Sequence, residues 1–138
     1  MKNIILKSHN ISDVEIKKVL EESISNLNKD LKKVLLLPPD FTRFHSKAGK
    51  ITAMYYQMLK DTCEVDIMPA IGTHMPMTDE EIEKMYGKDI PKERFVVHDW
   101  RNDIIKIGEV PGSYVKEISG GLLDFSIDVE VNKRLANS

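Results

Sequence analysis

Three side chains that could carry chemistry follow two apolar segments of this sequence. Asp40 and Arg43 come after the apolar run 34–37, and His74 comes after the run 65–70. Continuous apolar runs without alternation are typical of strands that are covered on both faces. Open α/β sheets bind ligands outside the carboxyl ends of their strands. We therefore expect an acid, an arginine and a histidine to face one pocket from two neighbouring strands.

The acid and the arginine lie in the segment Pro-Pro-Asp-Phe-Thr-Arg, residues 38–43. Neither proline can donate a hydrogen bond to a sheet, so the segment is predicted to be a loop. The Asp40 carboxylate could orient a catalytic group or a ribose hydroxyl, and the Arg43 guanidinium could hold a carboxylate or a phosphate through two parallel hydrogen bonds. In the alternative interpretation, Asp40 caps a turn and pairs with Arg43 on the surface.

The histidines differ in what their positions allow. His74 lies in a loop just before a helix N-terminus, and the ordinary pKa of histidine suits a general acid or base near neutral pH. Alternatively, backbone groups satisfy its ring. His9, His45 and His98 are interpreted as structural or solvent-facing. Asp40, His45 and His74 include acceptable types of metal ligand, but the sequence has no His-x-x-x-His motif and no cysteine pair. We assign no metal ligand in this chain.

The composition restricts the class of protein. The 138 residues include 20 basic and 22 acidic side chains, and this balance gives no clustered positive charge for nucleic acid. The lone cysteine, Cys63, cannot form an intramolecular disulfide, which fits a reducing compartment. No apolar run has the length of a membrane span or of a signal-peptide core. We expect a cytoplasmic protein that binds neither nucleic acid nor a membrane.

Capping boxes and periodicity predict the secondary structure. Ser12 with Glu15 and Thr78 with Glu81 form the Ser/Thr-x-x-Glu pattern that begins a helix. Hydrophobic periodicity predicts strands over 3–8, 34–37, 64–70, 95–97, 104–109 and 125–131, helices over 12–27, 47–60 and 78–87, and turns at glycines 112, 120 and 121.

The order of these elements predicts an α/β fold with an open, mostly parallel sheet and helices on both faces. We expect residues 1–138 to form a single domain with a more β-rich tail. Residues 132–138 resemble the first turns of a helix with no following strand to pack against. The expected domain is therefore an incomplete N-terminal domain of a larger fold.

Two motifs in the predicted loops support a family resemblance. Pro-Asp-x-Thr-Arg occupies residues 39–43, and Gly-x-His-x-Pro-x-Thr occupies residues 72–78. With this pair, the chain resembles the N-terminal part of the nickel-dependent lactate racemase family. The resemblance extends from Val34 to the chain end and includes Val129–Lys133.

The resemblance implies an activity and roles for individual residues. Members of the family interconvert the stereoisomers of lactate or related 2-hydroxy acids, using a nickel-pincer nucleotide tethered to a lysine. The cofactor accepts a hydride from C2 while a histidine takes the hydroxyl proton. By this resemblance His74 is one of two acid/base histidines. Asp40 and Arg43 shape the same catalytic pocket, and with Thr42 they contact the cofactor, Arg43 as the anion holder.

The resemblance also implies what this chain lacks. Met75 stands where the family usually has an arginine, which removes a cation from the rim of the pocket. The cofactor-bearing lysine, the nickel-binding histidine and the second acid/base histidine belong to sequence beyond Ser138. The expected partners are a small 2-hydroxy acid and the remainder of the same polypeptide or a C-terminal domain. The isolated chain is expected to be inactive.

Two other functions remain open from the sequence. The first is a non-enzymatic module for small anions or nucleotides, which would use Arg43 and the backbone donors of a helix N-terminus near Thr78. The second is a structural interaction domain whose exposed sheet edge is covered by another part of the protein.

Overall fold

The computed structural model describes residues 4–136. The elements are α1 (Asp13–Ser25), β1 (Lys33–Leu36), a 3₁₀ helix (Phe41–Ser46), α2 (Ala48–Leu59), β2 (Glu64–Ile67), α3 (Asp79–Tyr86), a second 3₁₀ helix (Lys92–Arg94), β3 (Ile104–Val110), α4 (Gly112–Ile118), β4 (Ile127–Asn132) and α5 (Lys133–Ala136). Within residues 4–136, no helix combines the length and the apolar character that crossing a membrane requires.

The chain forms two compact units. The first contains the described residues up to Ile71 together with Met75–Val97, and the second contains Gly72–His74 together with the described residues from His98 onward. The expectation that residues 1–138 form one domain stays a prediction.

The first unit is built on parallel strands. β1 and β2 pair in parallel, and the pairing continues in an isolated bridge between Pro39 and Ala70. A second parallel bridge joins Ile67 of β2 to Phe95. The parallel sheet and its helices confirm the predicted α/β class. The bridge from Pro39 to Ala70 also means that the residues that follow β1 and β2 stay side by side beyond the carboxyl ends of the two strands.

The hydrophobic core of the first unit lies between β2, α2 and α3. Its buried members are Tyr56, Leu59, Val65, Ile67, Met85, Tyr86 and Ile90. The two helices approach closely at Gly49, where an added Cβ would lie 2.2 Å from the carbonyl oxygen of Met85. Only glycine leaves room for this contact, so the sequence of α2 sets how closely α3 packs.

The second unit contains an antiparallel pair. β3 and β4 pair from Ile104 with Asn132 to Val110 with Ile127, and the register shifts between Lys106 and Gly108. On the polar face, the Lys106 ammonium lies 2.6 Å from Asp128 and 2.8 Å from Glu109. Hydrogen bonds to these two carboxylates raise the pKa of Lys106.

Several predicted elements are confirmed and others are wrong. Both capping boxes begin helices at the predicted residues, and the predicted strands over 104–109 and 125–131 form β3 and β4. The strand predicted over 3–8 is wrong, because residues 4–8 have no regular structure; residue 3 lies outside the described residues. The predicted strand over 95–97 is reduced to the bridge at Phe95.

Two segments predicted to be irregular are helical. The predicted loop after Pro39 contains the 3₁₀ helix Phe41–Ser46, and Gly112, predicted to mark a turn, begins α4. The helix predicted over 132–138 is present as α5, whose last residue is Ala136; residues 137 and 138 lie outside the described residues.

Candidate functional site

Asp40 caps the 3₁₀ helix that follows β1. Its backbone is extended, with φ −76° and ψ −178°, and its carboxylate accepts hydrogen bonds from the backbone N–H of Thr42 at 3.2 Å and from the Thr42 hydroxyl. The Arg43 N–H donates to the Asp40 carbonyl at 3.0 Å, which closes the turn. Asp40 is 7% exposed. The local sequence therefore fixes a buried carboxylate at the carboxyl end of the parallel sheet.

Arg43, Thr42 and Asp40 form one directed chain of hydrogen bonds. The Arg43 guanidinium donates from Nη1 to Thr42 Oγ1 at 3.1 Å. Because an arginine side chain has no acceptor, the Thr42 oxygen accepts this bond and its own proton points to the Asp40 carboxylate. Arg43 is exposed and forms no ion pair within residues 4–136. The remaining N–H donors of its planar, fork-shaped guanidinium group are therefore available to an anion.

Tyr86 connects α3 to this turn through a hydrogen bond. It is the last residue of α3 and is 4% exposed, and its hydroxyl donates to the Pro39 carbonyl oxygen at 3.1 Å. Burial raises the pKa of the Tyr86 phenol well above its ordinary value, and the negative charge of Asp40 raises it further. The phenol is therefore a neutral donor at physiological pH. Its ring packs on Phe95, with centroids 5.1 Å apart.

Lys84 makes a second connection between α3 and the 3₁₀ helix. Its ammonium lies 5.6 Å from the centroid of the Phe41 ring and 5.5 Å from that of the Phe44 ring. These distances are within the range of cation–π attraction. The two rings contact each other, with centroids 5.4 Å apart. The turn that carries Arg43 therefore contacts α3 in two ways, through Lys84 on its aromatic rings and through the hydrogen bond from Tyr86 to Pro39.

The loop that contains His74 begins with a backbone turn that requires glycine. Gly72 has φ +58°, in the left-handed region, while no atom lies within 4 Å of the position of a Cβ. The requirement is therefore conformational rather than steric. His74 follows in a bend and is exposed. It belongs to the second unit, so the predicted pocket shared by His74, Asp40 and Arg43 stays a prediction.

The capping box at the N-terminus of α3 uses two of its backbone donors. The Glu81 N–H donates to the Thr78 hydroxyl at 3.2 Å, and the Thr78 N–H donates to the Glu81 carboxylate at 2.8 Å. Asp79, Glu80 and Glu81 also place three acidic side chains in the first turn. Of the backbone donors predicted near Thr78, the amides of Thr78 and Glu81 are therefore already bound within the capping box.

His98 has a structural partner in the second unit. Its Nδ1 lies 3.0 Å from Nδ2 of Asn132, a residue that is 4% exposed. The Asn132 Oδ1 accepts from the Arg134 N–H, which orients the amide group and makes Nδ2 the donor toward His98. The Nδ1 atom of His98 is therefore the acceptor of this hydrogen bond.

The described residues do not assemble a metal site. Over residues 4–136, no group of three or more histidine, cysteine, aspartate or glutamate side chains is placed to hold a metal ion. Asp40, Thr42 and Arg43 are brought together, and they provide a guanidinium and a hydroxyl over a buried acid. The guanidinium of this group has the donors that suit a carboxylate or a phosphate. The sequence analysis missed Tyr86, although a buried tyrosine next to a helix-ending glycine needs a hydrogen-bond partner.

The parallel sheet with its helices defines a domain of the α/β class. A family model described as the lactate racemase N-terminal domain matches residues 3–138. The chain therefore belongs to the lactate racemase N-terminal domain family, which confirms the resemblance seen in its two motifs. A comparison with curated proteins finds no match.

One solved structure is similar to this chain over most of its length. It is the crystal structure of a Thermotoga maritima protein from a structural genomics consortium, with 30% sequence identity and a TM-score of 0.77. The similarity covers 95% of this chain and 32% of that protein. The chain thus spans about a third of the length of the protein it matches.

Proposed function

We propose that this region forms part of the active site of a cytoplasmic racemase or epimerase that acts on lactate or a related 2-hydroxy acid. The observation that carries the proposal is the match of the lactate racemase N-terminal domain over residues 3–138. The similar crystal structure has about three times the length of this region, so further residues are proposed to complete the site.

Arg43 is proposed to hold the anion. Its guanidinium is exposed, and its bond to Thr42 uses Nη1 and leaves other N–H groups of the fork for a ligand. The buried Asp40 carboxylate balances the positive charge through Thr42 and fixes the direction of the hydroxyl proton. Asp40 is thus proposed to orient the binding groups, and Arg43 to contact the ligand.

His74 is proposed to move the proton of the substrate hydroxyl. The neutral imidazole accepts the proton from the oxygen on C2 as that carbon is oxidised to a ketone, and the imidazolium returns a proton when the alcohol re-forms. His74 is an exposed residue in the loop that follows the Gly72 turn. The second histidine that acts on the opposite face is proposed to come from residues outside this region.

The nickel-pincer nucleotide implied by the family fits this region only in part. The Arg43 guanidinium suits a phosphate group of a nucleotide, and the Thr42 oxygen, whose proton is donated to Asp40, can accept from a ribose hydroxyl, whereas residues 4–136 place no cluster of metal ligands. We propose that these three residues hold the nucleotide portion. When bound, the cofactor supplies the acceptance and return of a hydride at C2.

The proton-transfer role is tested by substituting His74 in the enzyme that contains this region. His74→Ala should lower kcat for racemisation by about 10²- to 10⁴-fold, the usual contribution of a general acid or base, with a much smaller change in KM. His9→Ala is the matched control, because His9 is an exposed histidine outside both motif loops. Its kinetics should equal those of the unsubstituted enzyme.

Two results would contradict the proposal. Unchanged kcat in His74→Ala would remove the acid/base role. Absence of racemisation by the unsubstituted, cofactor-loaded enzyme with lactate and a panel of other 2-hydroxy acids would remove the proposed substrate class.

A further inference from the structure

We propose that Tyr86 is a positioning residue that sets the geometry of the Asp40–Arg43 turn through its hydrogen bond to the Pro39 carbonyl. This inference deepens the proposed function and rests on it for its kinetic consequence. Its structural part depends only on contacts within the first unit.

The hydroxyl of Tyr86 holds the chain immediately before the capping acid. The bond of 3.1 Å to Pro39 lies one residue ahead of Asp40, whose carboxylate binds the Thr42 N–H and hydroxyl. Proline has no N–H, so the Pro39 backbone offers only its carbonyl for hydrogen bonding. The Tyr86 hydroxyl therefore restrains the Pro39 peptide and, with it, the direction from which Asp40 enters the turn.

The residues around Tyr86 are closely packed. The ring packs on Phe95 and is almost fully buried, and the neighbouring Met85 is pressed against Gly49 of α2. A buried tyrosine usually finds a partner for its hydroxyl, so the bond alone would be expected of any core tyrosine. What distinguishes Tyr86 is that its partner adjoins the Asp40 carboxylate.

The consequence for binding follows from the chain of bonds. A shift of Pro39 moves Asp40, and Asp40 orients the hydroxyl to which Arg43 donates. Tyr86 does not need to contact the ligand to affect its affinity. Loss of its hydroxyl should therefore appear mainly in KM, because the binding groups are displaced while the proposed acid/base group, His74, is unchanged.

The experiment removes one oxygen atom and has a matched control. Tyr86→Phe keeps the ring against Phe95 and deletes the hydroxyl. Tyr55→Phe deletes a different interhelical hydroxyl, which lies 2.8 Å from Ser23 Oγ. Both variants of the 138-residue chain are compared by amide hydrogen exchange, and both variants of the racemase that contains this region are compared by steady-state kinetics.

We expect Tyr86→Phe to speed amide exchange at Thr42 and Arg43 by about fivefold, the ratio that corresponds to one ordinary hydrogen bond. KM for the 2-hydroxy acid should rise by a similar factor while kcat changes less than twofold. Tyr55→Phe should change none of these quantities. Unchanged exchange at both amides in Tyr86→Phe, or altered exchange with unchanged KM in an active enzyme, would overturn the inference.

A second measurement needs no substitution at Tyr86. In a chain labelled with 3-fluorotyrosine, Asp40→Asn should shift the ¹⁹F resonance of residue 86 and leave that of residue 55 in place. An unmoved resonance of residue 86 would contradict the coupling. If both structural measurements succeed and the unsubstituted enzyme racemises no 2-hydroxy acid, the proposed function fails and the positioning of the turn by Tyr86 stands.

Discussion

At the scale of single residues, the turn after β1 shows how a buried acid can organise an exposed cation. Asp40 is held by Thr42, and Thr42 in turn accepts from Arg43. A guanidinium bonded directly to the acid would use its N–H donors in an internal salt bridge. Placing a hydroxyl between them keeps Arg43 oriented while its other donors stay exposed.

Substitutions at Arg43 test how much its planar guanidinium contributes to substrate binding. In the enzyme that contains this region, Arg43→Ala should raise KM for the 2-hydroxy acid by about ten- to a hundredfold, since a hydrogen bond to a charged group contributes about 1.5–3 kcal/mol. Arg43→Lys should recover only part of the loss, because lysine keeps the charge without the planar fork. Steady-state kinetics measure both effects.

Lys88→Ala is the control for net charge. Lys88 is exposed, and its contact with Glu83 is long, at 3.7 Å, so its removal changes one surface cation without altering the turn. An equal rise in KM in Lys88→Ala and Arg43→Ala would indicate that only the overall charge matters. That result would contradict a specific anion contact by Arg43.

The sequence predicted the capping role of Asp40 in this turn, but not the hydrogen-bond partner of Arg43. A carboxylate after two prolines indicated a cap, and Asp40 does cap the turn. The alternative of a surface pair between Asp40 and Arg43 was wrong in its geometry, since the arginine donates to Thr42. The spacing of the residues cannot show this, because the choice of acceptor depends on the burial of Asp40 in the folded chain.

At the scale of helices and strands, prediction succeeded where local bonds define the element. Both capping boxes form with their reciprocal hydrogen bonds, so the starts of α1 and α3 could be taken directly from the sequence. The strand predicted over 3–8 needed a partner that the described residues do not supply. A strand gains its stability from pairing, so a short apolar run without a neighbouring strand is a weak signal.

Helix α4 was missed because its first residues also signal turns. Pro111 is the N-cap of α4 and Gly112 is its first residue, and both residue types are typical of turns. The structure shows a steric reason for the glycine. A Cβ at Gly112 would lie 2.8 Å from the Asp124 carbonyl oxygen. This contact could not be predicted from the sequence, because it involves a segment twelve residues away along the chain.

The contact between α2 and α3 gives a prediction about stability. Gly49→Ala would place a methyl group against Met85, so the helices must separate. Overpacking of this kind costs roughly 1–3 kcal/mol. We expect a reduction of that size in the free energy of unfolding, measured by urea denaturation of the 138-residue chain.

Gly108→Ala is the matched control for this prediction. The same methyl group added at Gly108 in β3 has no atom within 4 Å. The free energy of unfolding should change by less than about 0.5 kcal/mol, as is usual for surface substitutions. Equal destabilisation by the two substitutions would show that the loss reflects glycine replacement in general and not the approach of α3 to α2.

At the scale of the whole molecule, the buried apolar residues are unevenly distributed. The core cluster lies entirely in the first unit, whereas Val115 is the buried apolar side chain of the second unit within residues 4–136. Bulk composition could not predict this division. A hydrophobic content of 41% shows that the chain can bury a core, and it does not show which segments share it.

The last prediction concerns the whole chain and nickel. Residues 4–136 place no group of three metal-ligating side chains together, and the second acid/base histidine is proposed to come from residues outside this region. We therefore expect the purified 138-residue chain to retain no stoichiometric nickel, to carry no covalent nucleotide and to racemise no lactate. Elemental analysis, intact mass and a racemisation assay measure these three properties, on protein without a polyhistidine tag, because such a tag itself binds nickel. Equimolar nickel with turnover would mean that this region holds the metal and both proton-transfer groups, which would contradict the division of the site proposed above.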